Sequence, residues 1–341
     1  MTSQILGFSS TRGRRMLPRA SQAWWVRIST CGWFVACLAI TTAAFSQNDK
    51  GMQAASYPPR MAGSRAETYK KVGDVELKLY VYEPTGHRPE DARPAIVFFF
   101  GGGWQSGTPE QFRSHCEYLA SRGMIAIAAD YRVGSRHRVK PTQCVADAKS
   151  AIRFVRSHAR QWGIDPQRIA AGGGSAGGHL AAATATLPGY DELSDDAHVS
   201  SRPNALVLFN PALVLAPLEG EDFGGFGARS NRERLGGEPE SLSPAHHIVA
   251  GASPAIIFHG RADSTVPFAT AEAFCKRMKA SGNRCELSSF PGQPHGFFNY
   301  GREGNKYFRE TTTQMDRFLA SLGYLTGEPT VEAFLRTYQR H

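Results

Sequence analysis

Hydrophobic residues follow two alternating patterns along most of the chain. Five short runs are almost continuously apolar, at residues 95–100, 124–129, 168–171, 205–209 and 255–258. Strands of this kind are buried on both faces, as in a parallel sheet that is covered by helices. Segments with helical spacing separate or follow these runs, at residues 109–122, 142–162, 176–185, 267–281 and 306–322. The alternation predicts an α/β fold with a mostly parallel, doubly wound sheet and helices on both of its faces.

The ends of this pattern define the expected domain. Apolar and polar residues alternate over residues 72–82, which predicts a half-exposed strand. We predict a single domain over residues 67–325, preceded by a flexible segment at 47–66 and followed by a helical tail at 326–341. Residues 214–240 are rich in Gly, Arg and Glu and break the alternation. They are expected to form an insertion over one end of the sheet, near the functional site.

The net charge of +9 is concentrated at the amino terminus. Residues 1–47 contain five arginines and no acidic residue, so taking five from nine leaves a modest +4 on the rest of the chain. An uncharged, mostly apolar run at 33–45 follows these arginines and is too short to span a bilayer. A basic region, a short apolar run and small residues are typical of a secretory signal peptide, which we place at residues 1–46. The start of translation is either Met1 or Met16.

A cleaved signal peptide predicts a secreted or periplasmic protein that has no membrane span after cleavage. An uncleaved anchor and a lipidated Cys37 are the alternative interpretations. Because the basic surplus belongs to the leader, no nucleic-acid partner is expected. Of the other cysteines, Cys275 and Cys285 flank a predicted helix-to-strand turn, where they either pair in a disulfide or stay buried free thiols. The chain lacks the C-x-x-C and H-E-x-x-H spacings of zinc sites, so no metal is expected.

A glycine-rich turn follows the predicted strand at 168–171. Its sequence, Gly172-Gly173-Gly174-Ser175-Ala176-Gly177-Gly178, contains a G-x-S-x-G motif. In such a motif a tight strand-to-helix turn exposes the serine hydroxyl, and side chains at the flanking glycines would clash. Because ligands bind beyond the carboxyl ends of strands in such sheets, Ser175 is a candidate nucleophile. The alternatives are a glycine-rich loop without chemistry and a phosphate-binding loop, but the Gly-Lys-Ser/Thr of the latter is missing.

A nucleophilic serine requires a base, and the base requires an acid that orients it. Asp263 follows the predicted strand at 255–258, and His295 follows another at 285–290. The order Ser, Asp, His is the one that this architecture uses. We therefore predict a catalytic triad of Ser175, His295 and Asp263. His259 ends a strand before the acid and is interpreted as structural; a loop-capping aspartate and a surface histidine are the alternatives for Asp263 and His295.

Attack on a carbonyl creates an oxyanion, which preorganised backbone N–H groups stabilise. Three glycines, Gly101-Gly102-Gly103, follow the predicted strand at 95–100 and would let the backbone approach a substrate closely. We predict that the N–H groups of Gly102, Gly103 and Ala176 form the oxyanion hole. Trp104, Phe297 and Phe298 are predicted to line the substrate pocket, with packing in the core as the alternative.

These motifs resemble those of the α/β-hydrolase esterases, in the branch of hormone-sensitive lipase and the acetyl esterases. The resemblance extends from about Val72 to Leu322 and rests on Gly101–Trp104, Gly173–Gly178, Asp263–Pro267 and His295–Phe297. It implies the α/β-hydrolase fold, with Ser175 as nucleophile, His295 as base and Asp263 as the orienting acid. This branch usually has a histidine before the three glycines, where this chain has Phe100. The departure concerns how the glycine loop is supported. Four charged residues near the motifs are interpreted as a structural ion-pair set, namely Asp130, Arg132, Asp147 and Arg153.

The resemblance implies a serine carboxylesterase that acts through an acyl-enzyme, without a cofactor. Because export favours an extracellular substrate, we expect a small-molecule or polysaccharide ester with short acyl or feruloyl groups. The nearest alternative enzyme is a serine peptidase of the prolyl-oligopeptidase type, a family that gates its site with a large β-propeller. A non-catalytic binding module is a further alternative, and it would be favoured by the loss of a triad residue.

Overall fold

A computed structural model describes residues 57–221, 223 and 231–338. The predicted signal peptide lies outside these residues, as does part of the predicted insertion. The strands are β1 (Arg65–Val72), β2 (Val75–Tyr82), β3 (Arg93–Phe99), β4 (Ile125–Ala129), β5 (Ile164–Gly174), β6 (Ala205–Phe209), β7 (Ala255–Gly260) and β8 (Cys285–Phe290). The helices are α1 (Arg113–Ser121), α2 (Gly134–His137), α3 (Pro141–Ser157), α4 (Ala176–Thr186), α5 (Arg232–Leu235), α6 (Phe268–Ala280), α7 (Lys306–Ser321) and α8 (Val331–Thr337).

The eight strands form one sheet in the order β1-β2-β4-β3-β5-β6-β7-β8. Strand β3 lies inside the sheet, and its Val97 is in parallel register with Ile127 of β4 and Ala171 of β5. From β4 to β8 every neighbouring pair is parallel, whereas β2 pairs antiparallel with both β1 and β4. The prediction of a mostly parallel α/β-hydrolase sheet is therefore confirmed. Its parallel strands end at one edge, where β5, β7 and β8 lead into Ser175, Asp263 and His295.

Both faces of the sheet are covered by helices. In β3, Val97 and Phe99 belong to the hydrophobic core that contains residues of α3, α4 and α6. Ile96 and Phe98 point to the opposite face and pack in a second core with residues of α1 and α7. Burial of one such side chain contributes about 1.5–3 kcal/mol, so the apolar runs of the sequence account for much of the driving force for folding.

At the amino-terminal edge the predicted strand is present as β2, and two features around it were not predicted. The strand expected over 72–82 is the second half of a hairpin, because β1 precedes β2 and the two are joined at Gly73 and Asp74. The described residues of the segment expected to be flexible, 57–66, pack against the domain. The Tyr57 hydroxyl donates a hydrogen bond to Asp130 Oδ2 at 2.5 Å, and the Arg136 guanidinium lies 4.1 Å from the centre of the Tyr57 ring. The partners of Tyr57 lie more than 70 residues away along the chain, so the local sequence pattern does not predict these contacts.

The start of the predicted insertion is part of the core. Val214 and Leu215 are buried in the same core as α3 and α4, so the first residues of 214–240 are not part of a polar surface insertion. The short helix α5 buries Leu235 in that core as well. At the carboxyl terminus, α8 lies within the predicted helical tail. None of the described helices is long and apolar enough to span a membrane.

The charged residues that were expected to form one ion-pair set are divided among different partners. Arg132 contacts both carboxylate oxygens of the fully buried Asp147, at 2.8 and 2.7 Å, and Lys70 approaches the same carboxylate at 2.8 Å. Arg153 instead pairs with the surface residue Asp191 at 2.6 Å. Asp130 bonds to Tyr57, and its burial raises the pKa of its carboxyl to about 6. These buried charged groups all have bonding partners, as expected, but the predicted grouping is corrected.

Candidate active site

The turn that carries Ser175 is held in a strained conformation. Strand β5 ends at Gly174 and α4 begins at Ala176, so one residue makes the whole reversal, with φ 55° and ψ −119° at Ser175. Residues with a side chain rarely adopt this backbone, and it persists only where the surroundings enforce it. The Ser175 N–H donates to Phe209 O at 2.9 Å, and a Cβ on Gly177 would lie 2.0 Å from Phe99 O. The turn therefore fits only because glycine follows the serine at this spacing.

The glycine loop passes directly beside this turn. A Cβ on Gly101 would lie 3.3 Å from the Cβ of Ser175. Among the described residues, the N–H groups of Gly102 and Gly103 form no hydrogen bonds. Ala176 is the first residue of α4, where a helix leaves its N–H without a partner in the helix. The N–H of Ala176 therefore lies next to Ser175, and those of Gly102 and Gly103 belong to the loop beside it. Their role as an oxyanion hole stays a prediction.

Phe100 and Gln111 show how the loop is supported in the absence of a histidine. The Phe100 ring stacks on Tyr131 with centroids 4.1 Å apart and an interplanar angle of 18°. The Tyr131 hydroxyl donates to the carbonyl oxygen of Phe100 at 2.7 Å. The next residue, Gly101, donates its N–H to Gln111 Oε1 at 2.6 Å. An aromatic stack and two hydrogen bonds therefore fix the entrance to the glycine loop.

Asp263 and His295 are in direct contact. His295 Nδ1 lies 2.7 Å from Asp263 Oδ2, and the other oxygen of Asp263 accepts the N–H groups of Thr265 and Val266, both at 2.9 Å. Burial on its own would raise the pKa of Asp263. Hydrogen bonds from His259, His295 and the Val266 N–H outweigh that effect and hold the pKa well below its usual range.

The charge of Asp263 determines which nitrogen of His295 carries a proton. An ionised carboxylate only accepts hydrogen bonds, so Nδ1 of His295 must be the donor in the 2.7 Å contact. In the neutral ring, Nε2 is then left as an acceptor, which is the form that a general base requires. The His295 side chain is 24% exposed, so solvent and ligands reach the ring.

His259 is buried and also contacts the acid. Its Nε2 lies 2.9 Å from Val266 O and 3.3 Å from Asp263 Oδ2. The sequence interpretation of a structural histidine agrees with its complete burial, but sequence reasoning missed its contact with Asp263.

The triad is brought together only in part. Over the described residues, no hydrogen bond joins the Ser175 hydroxyl to the His295 ring. Such bonds are often long in unliganded enzymes and tighten when substrate binds. The structure places Asp263 against His295 at the same edge of the sheet as Ser175, and proton transfer between Ser175 and His295 stays a prediction.

Two of the predicted pocket residues lie in the core. Phe298 is fully buried and stacks on Phe209 with centroids 4.5 Å apart, and Phe297 is 2% exposed and packs on Phe290. Their prediction as substrate-binding residues is corrected, because side chains with almost no accessible surface do not line an open pocket. Trp104 is 5% exposed and contacts the edge of His179 with ring centroids 5.1 Å apart.

Sequence reasoning missed three amides near the site, which are Gln111, Asn210 and Asn299. Asn210 directly follows β6 at the carboxyl edge of the sheet, so the rule that identified Asp263 and His295 would also have identified it. Gln111 and Asn299 carry no comparable signal. In the described part of the chain, no group of three or more His, Cys, Asp or Glu residues is arranged to hold a metal ion.

Comparison with known families shows to which family the chain belongs. A model of the BD-FAE family matches residues 79–278, which is more than half of the chain. The chain belongs to the BD-FAE family. The carboxyl-terminal part of this family member, residues 237–322, also matches a model of the dienelactone hydrolase family. The prediction of an α/β-hydrolase esterase family is confirmed.

Individual relatives of this BD-FAE chain are esterases. Esterase 2 of Thermogutta terrifontis, in a structure phosphorylated by paraoxon, is 55% identical and superposes with a TM-score of 0.75 over 80% of this chain and 99% of that one. Esterase LipC of Mycobacterium tuberculosis is 31% identical, and an acetylxylan esterase of Xylanibacter ruminicola is 28% identical. These two matches cover 61% and 60% of this chain but 54% and 41% of those proteins, so the chain spans about half of their length.

Proposed function

We propose that this BD-FAE family member is a serine carboxylesterase. The observation that carries the proposal is the contact between the ionised Asp263 and His295 Nδ1, which prepares the ring as a base at the edge of the sheet that also carries Ser175. The strained serine turn beside a glycine loop adds a nucleophile and backbone donors to this base. Esterases among the relatives support the same reaction class.

In the proposed mechanism, Ser175 Oγ attacks the ester carbonyl while His295 Nε2 accepts the hydroxyl proton. The carbonyl oxygen becomes an oxyanion, which the N–H groups of Gly102, Gly103 and Ala176 stabilise. The intermediate collapses to an acyl-enzyme as protonated His295 delivers its proton to the departing alcohol. A water molecule, deprotonated by His295, then attacks the acyl group, and His295 returns this proton to Ser175 Oγ as the carboxylic acid leaves.

Short acyl groups, including acetyl groups on polysaccharides, are the substrates that we propose. The Thermogutta terrifontis esterase 2 is also known in propionate-bound and butyrate-bound forms, which are short carboxylates. An acetylxylan esterase is among the relatives, which favours polysaccharide esters. Both observations concern other proteins and support a short-acyl preference in this chain by analogy.

Hydrolysis of a panel of esters tests this proposal. The purified protein is assayed with p-nitrophenyl acetate, butyrate and decanoate, with acetylated xylan, and with a peptide p-nitroanilide. We expect the highest kcat/KM for the acetyl or butyryl ester and a loss of roughly 10⁵-fold or more in Ser175→Ala. The matched control is Ser289→Ala, which removes a half-buried hydroxyl from β8 and should leave turnover unchanged.

Each other result of the panel has a defined meaning. Turnover that survives Ser175→Ala would contradict the assignment of the nucleophile. A preference for decanoate would indicate a lipase, and cleavage of the anilide in preference to esters would favour the peptidase alternative. Activity on p-nitrophenyl esters without release of acetate from xylan would restrict the substrate to small molecules.

We further propose that the enzyme is exported. The proposal rests on the five arginines and the apolar run before residue 47. Mass spectrometry of the protein recovered outside the cytoplasm of an expressing bacterium should show a chain that begins near Gln47. Recovery of only the intact 341-residue chain from the cytoplasm would contradict it.

A further inference from the structure

A chain of side-chain amides connects the glycine loop to the loop of His295. Gly101 N–H donates to Gln111 Oε1 at 2.6 Å, and Gln111 Nε2 donates to Asn299 Oδ1 at 3.0 Å. Asn299 Nδ2 then donates to the carbonyl oxygen of Gly296 at 2.8 Å. On the other side of that residue, the Gly296 N–H donates to Asn210 Oδ1 at 3.0 Å. Five consecutive groups are thus linked by four hydrogen bonds.

The backbone fixes the orientation of these amides. The N–H of Gly101 can only donate, so Gln111 must present its oxygen there and its NH₂ group to Asn299. Asn299 must therefore accept with its oxygen and donate with its NH₂ group, which matches the carbonyl of Gly296. The N–H of Gly296 in turn requires the oxygen of Asn210. Each of the four hydrogen bonds therefore has one donor and one acceptor assignment, and the four assignments are mutually consistent.

Asn210 lies between the elements that lead to the three residues of the predicted triad. Its N–H donates at 2.7 Å to Phe258 O in β7, the strand that leads to Asp263. The residue before it, Phe209, accepts the N–H of Ser175 at 2.9 Å. Asn210 is 1% exposed, and its φ of +34° lies in the left-handed region, which asparagine tolerates better than most residues with a side chain. A buried polar residue requires hydrogen-bond partners, and these contacts supply them.

Gly296 is the residue that these contacts restrain. It directly follows His295 and has a φ of +74°, so without restraint the backbone beside the histidine would be free to rotate. Its N–H is held by Asn210, and its carbonyl oxygen accepts from both the side chain and the backbone N–H of Asn299, at 2.8 and 3.2 Å. Amides do not titrate, so this restraint is the same at every pH at which the protein is folded.

We propose that Asn210, Asn299 and Gln111 are positioning residues, which fix the loop of His295 relative to the Ser175 turn and to the glycine loop. They act through Gly296 and Gly101 and not by contact with the reacting atoms. The inference rests on the proposed function, because it explains how the base and the oxyanion donors of that reaction keep their geometry. A misplacement of a catalytic group by about 1 Å costs on the order of 100-fold in rate.

Variants of Asn210 test the central contact. Asn210→Ala removes the acceptor for the Gly296 N–H, and Asn210→Asp keeps an oxygen there. The measurements are kcat and KM for p-nitrophenyl acetate, the rate at which a fluorophosphonate probe modifies Ser175, and the thermal unfolding midpoint. In Asn210→Ala we expect kcat and the modification rate to fall on the order of 10- to 100-fold, with KM unchanged, and most of that loss to be recovered in Asn210→Asp.

Asn283→Ala is the matched control. Asn283 is also buried and also bonds to the backbone, accepting from Ala252 N–H at 2.9 Å and donating to Val249 O at 2.8 Å. It precedes β8 and so lies at the amino end of that strand, away from the triad. This variant should lose thermal stability but keep its kcat and its modification rate.

The proposal is overturned if folded Asn210→Ala reacts with the probe at the wild-type rate, or if Asn210→Asp is no better than Asn210→Ala. Should Asn210→Ala fail to fold, Asn299→Ala provides the test at a half-exposed side chain. We then expect a fall in kcat in Asn299→Ala. The double variant with Gln111→Ala should have the same kcat as Asn299→Ala alone, because both substitutions break the same chain of hydrogen bonds. Full additivity of the two losses would also overturn the proposal.

Failure of the proposed function would be seen differently. In that case the wild-type protein does not hydrolyse esters or does not react with the probe at Ser175. Failure of the positioning role is seen only in the variants, against a wild-type protein that is active.

Discussion

The turn of Ser175 and the loop of His295 meet at the same edge of the sheet but are held in place by different means. The serine turn is held by backbone contacts with neighbouring strands. Ser175 N–H donates to Phe209 O in β6, and the glycines are so closely packed that a Cβ on Gly177 would lie 2.0 Å from Phe99 O in β3. The histidine loop is instead held by side chains. Asp263 bonds to the His295 ring and Asn210 to the N–H of Gly296, both from other parts of the chain, and Asn299 of the same loop bonds to the Gly296 carbonyl oxygen.

The difference shows that backbone packing fixes the position of Ser175, whereas side-chain hydrogen bonds fix the position of His295. Close packing of backbone against backbone leaves no room for adjustment, so every residue type in the serine turn is dictated by its neighbours. Hydrogen bonds from side chains permit more variation in the loop sequence, because the partner supplies the constraint. Substitutions in the serine turn should therefore cost more stability than substitutions in the histidine loop, where the loss of a side-chain partner should mainly affect catalysis.

The largest effect is expected for Gly177→Ala. The new methyl group would lie 2.0 and 2.4 Å from the carbonyl oxygens of Phe99 and Phe100, which are backbone atoms at the end of β3 and cannot move aside. We expect a loss of more than about 3 kcal/mol in the free energy of unfolding, with little soluble, folded protein. Yield in the soluble fraction and thermal unfolding measure it.

The matched change in the histidine loop is Gly292→Ala. A Cβ there meets no atom within 4 Å, although the φ of +71° is unfavourable for alanine. We expect a cost of about 1–2 kcal/mol and unchanged kcat. Equal losses of stability at residues 177 and 292 would remove the distinction between the two regions.

The next largest effect is expected for Asp263→Asn. The amide cannot hold His295 in the form with a proton on Nδ1 and no longer stabilises the protonated ring, so kcat should fall by about 10⁴-fold. Steady-state assays of the folded variant measure it. A loss smaller than tenfold would mean that Asp263 does not orient the base.

The same variant has a defined pH dependence of stability. The pKa of Asp263 is lower in the folded protein than in the unfolded chain, so its stabilising effect is complete above the ordinary aspartate pKa and is lost as the pH falls through the folded pKa. The thermal midpoints of wild type and Asp263→Asn should therefore differ most near neutral pH and converge below about pH 4. A difference that stays constant from pH 7 to pH 3 would contradict this assignment.

The smallest fall in kcat is expected for His259→Phe. The buried ring is replaced by another ring, but Val266 O loses its donor and Asp263 loses a contact at 3.3 Å. Stability should fall by about 1–3 kcal/mol, and kcat by less than about tenfold, since Asp263 keeps its bond to His295 and both backbone donors. A fall in kcat as large as that in Asp263→Asn would place His259 in the catalytic machinery.

The hydrophobic pattern of the sequence was sufficient to predict much of the fold and the order of the site residues along the chain. The apolar runs at 95–100, 205–209 and 255–258 became β3, β6 and β7, because a strand buried on both faces must be apolar throughout. The same pattern failed at β1, which is mixed in character and is a strand only because β2 pairs with it. It failed again at Phe297 and Phe298, because an aromatic side chain is equally suited to a pocket and to a core.

The sequence by itself determined the α/β architecture, the serine turn and the chain order of Ser175, Asp263 and His295. Each of these depends on residues that are close along the chain or on the rule that parallel strands end at one edge. Only the tertiary structure decided that Asp263 is ionised against His295 and that Tyr131 and Gln111 support the glycine loop. It also decided that Asn210 bonds to Gly296 beside His295 and to Phe258 in β7, while the preceding residue, Phe209, accepts the N–H of Ser175. Those contacts join residues from different strands and helices, and a hydrogen bond between them exists only once the sheet has brought their backbones together.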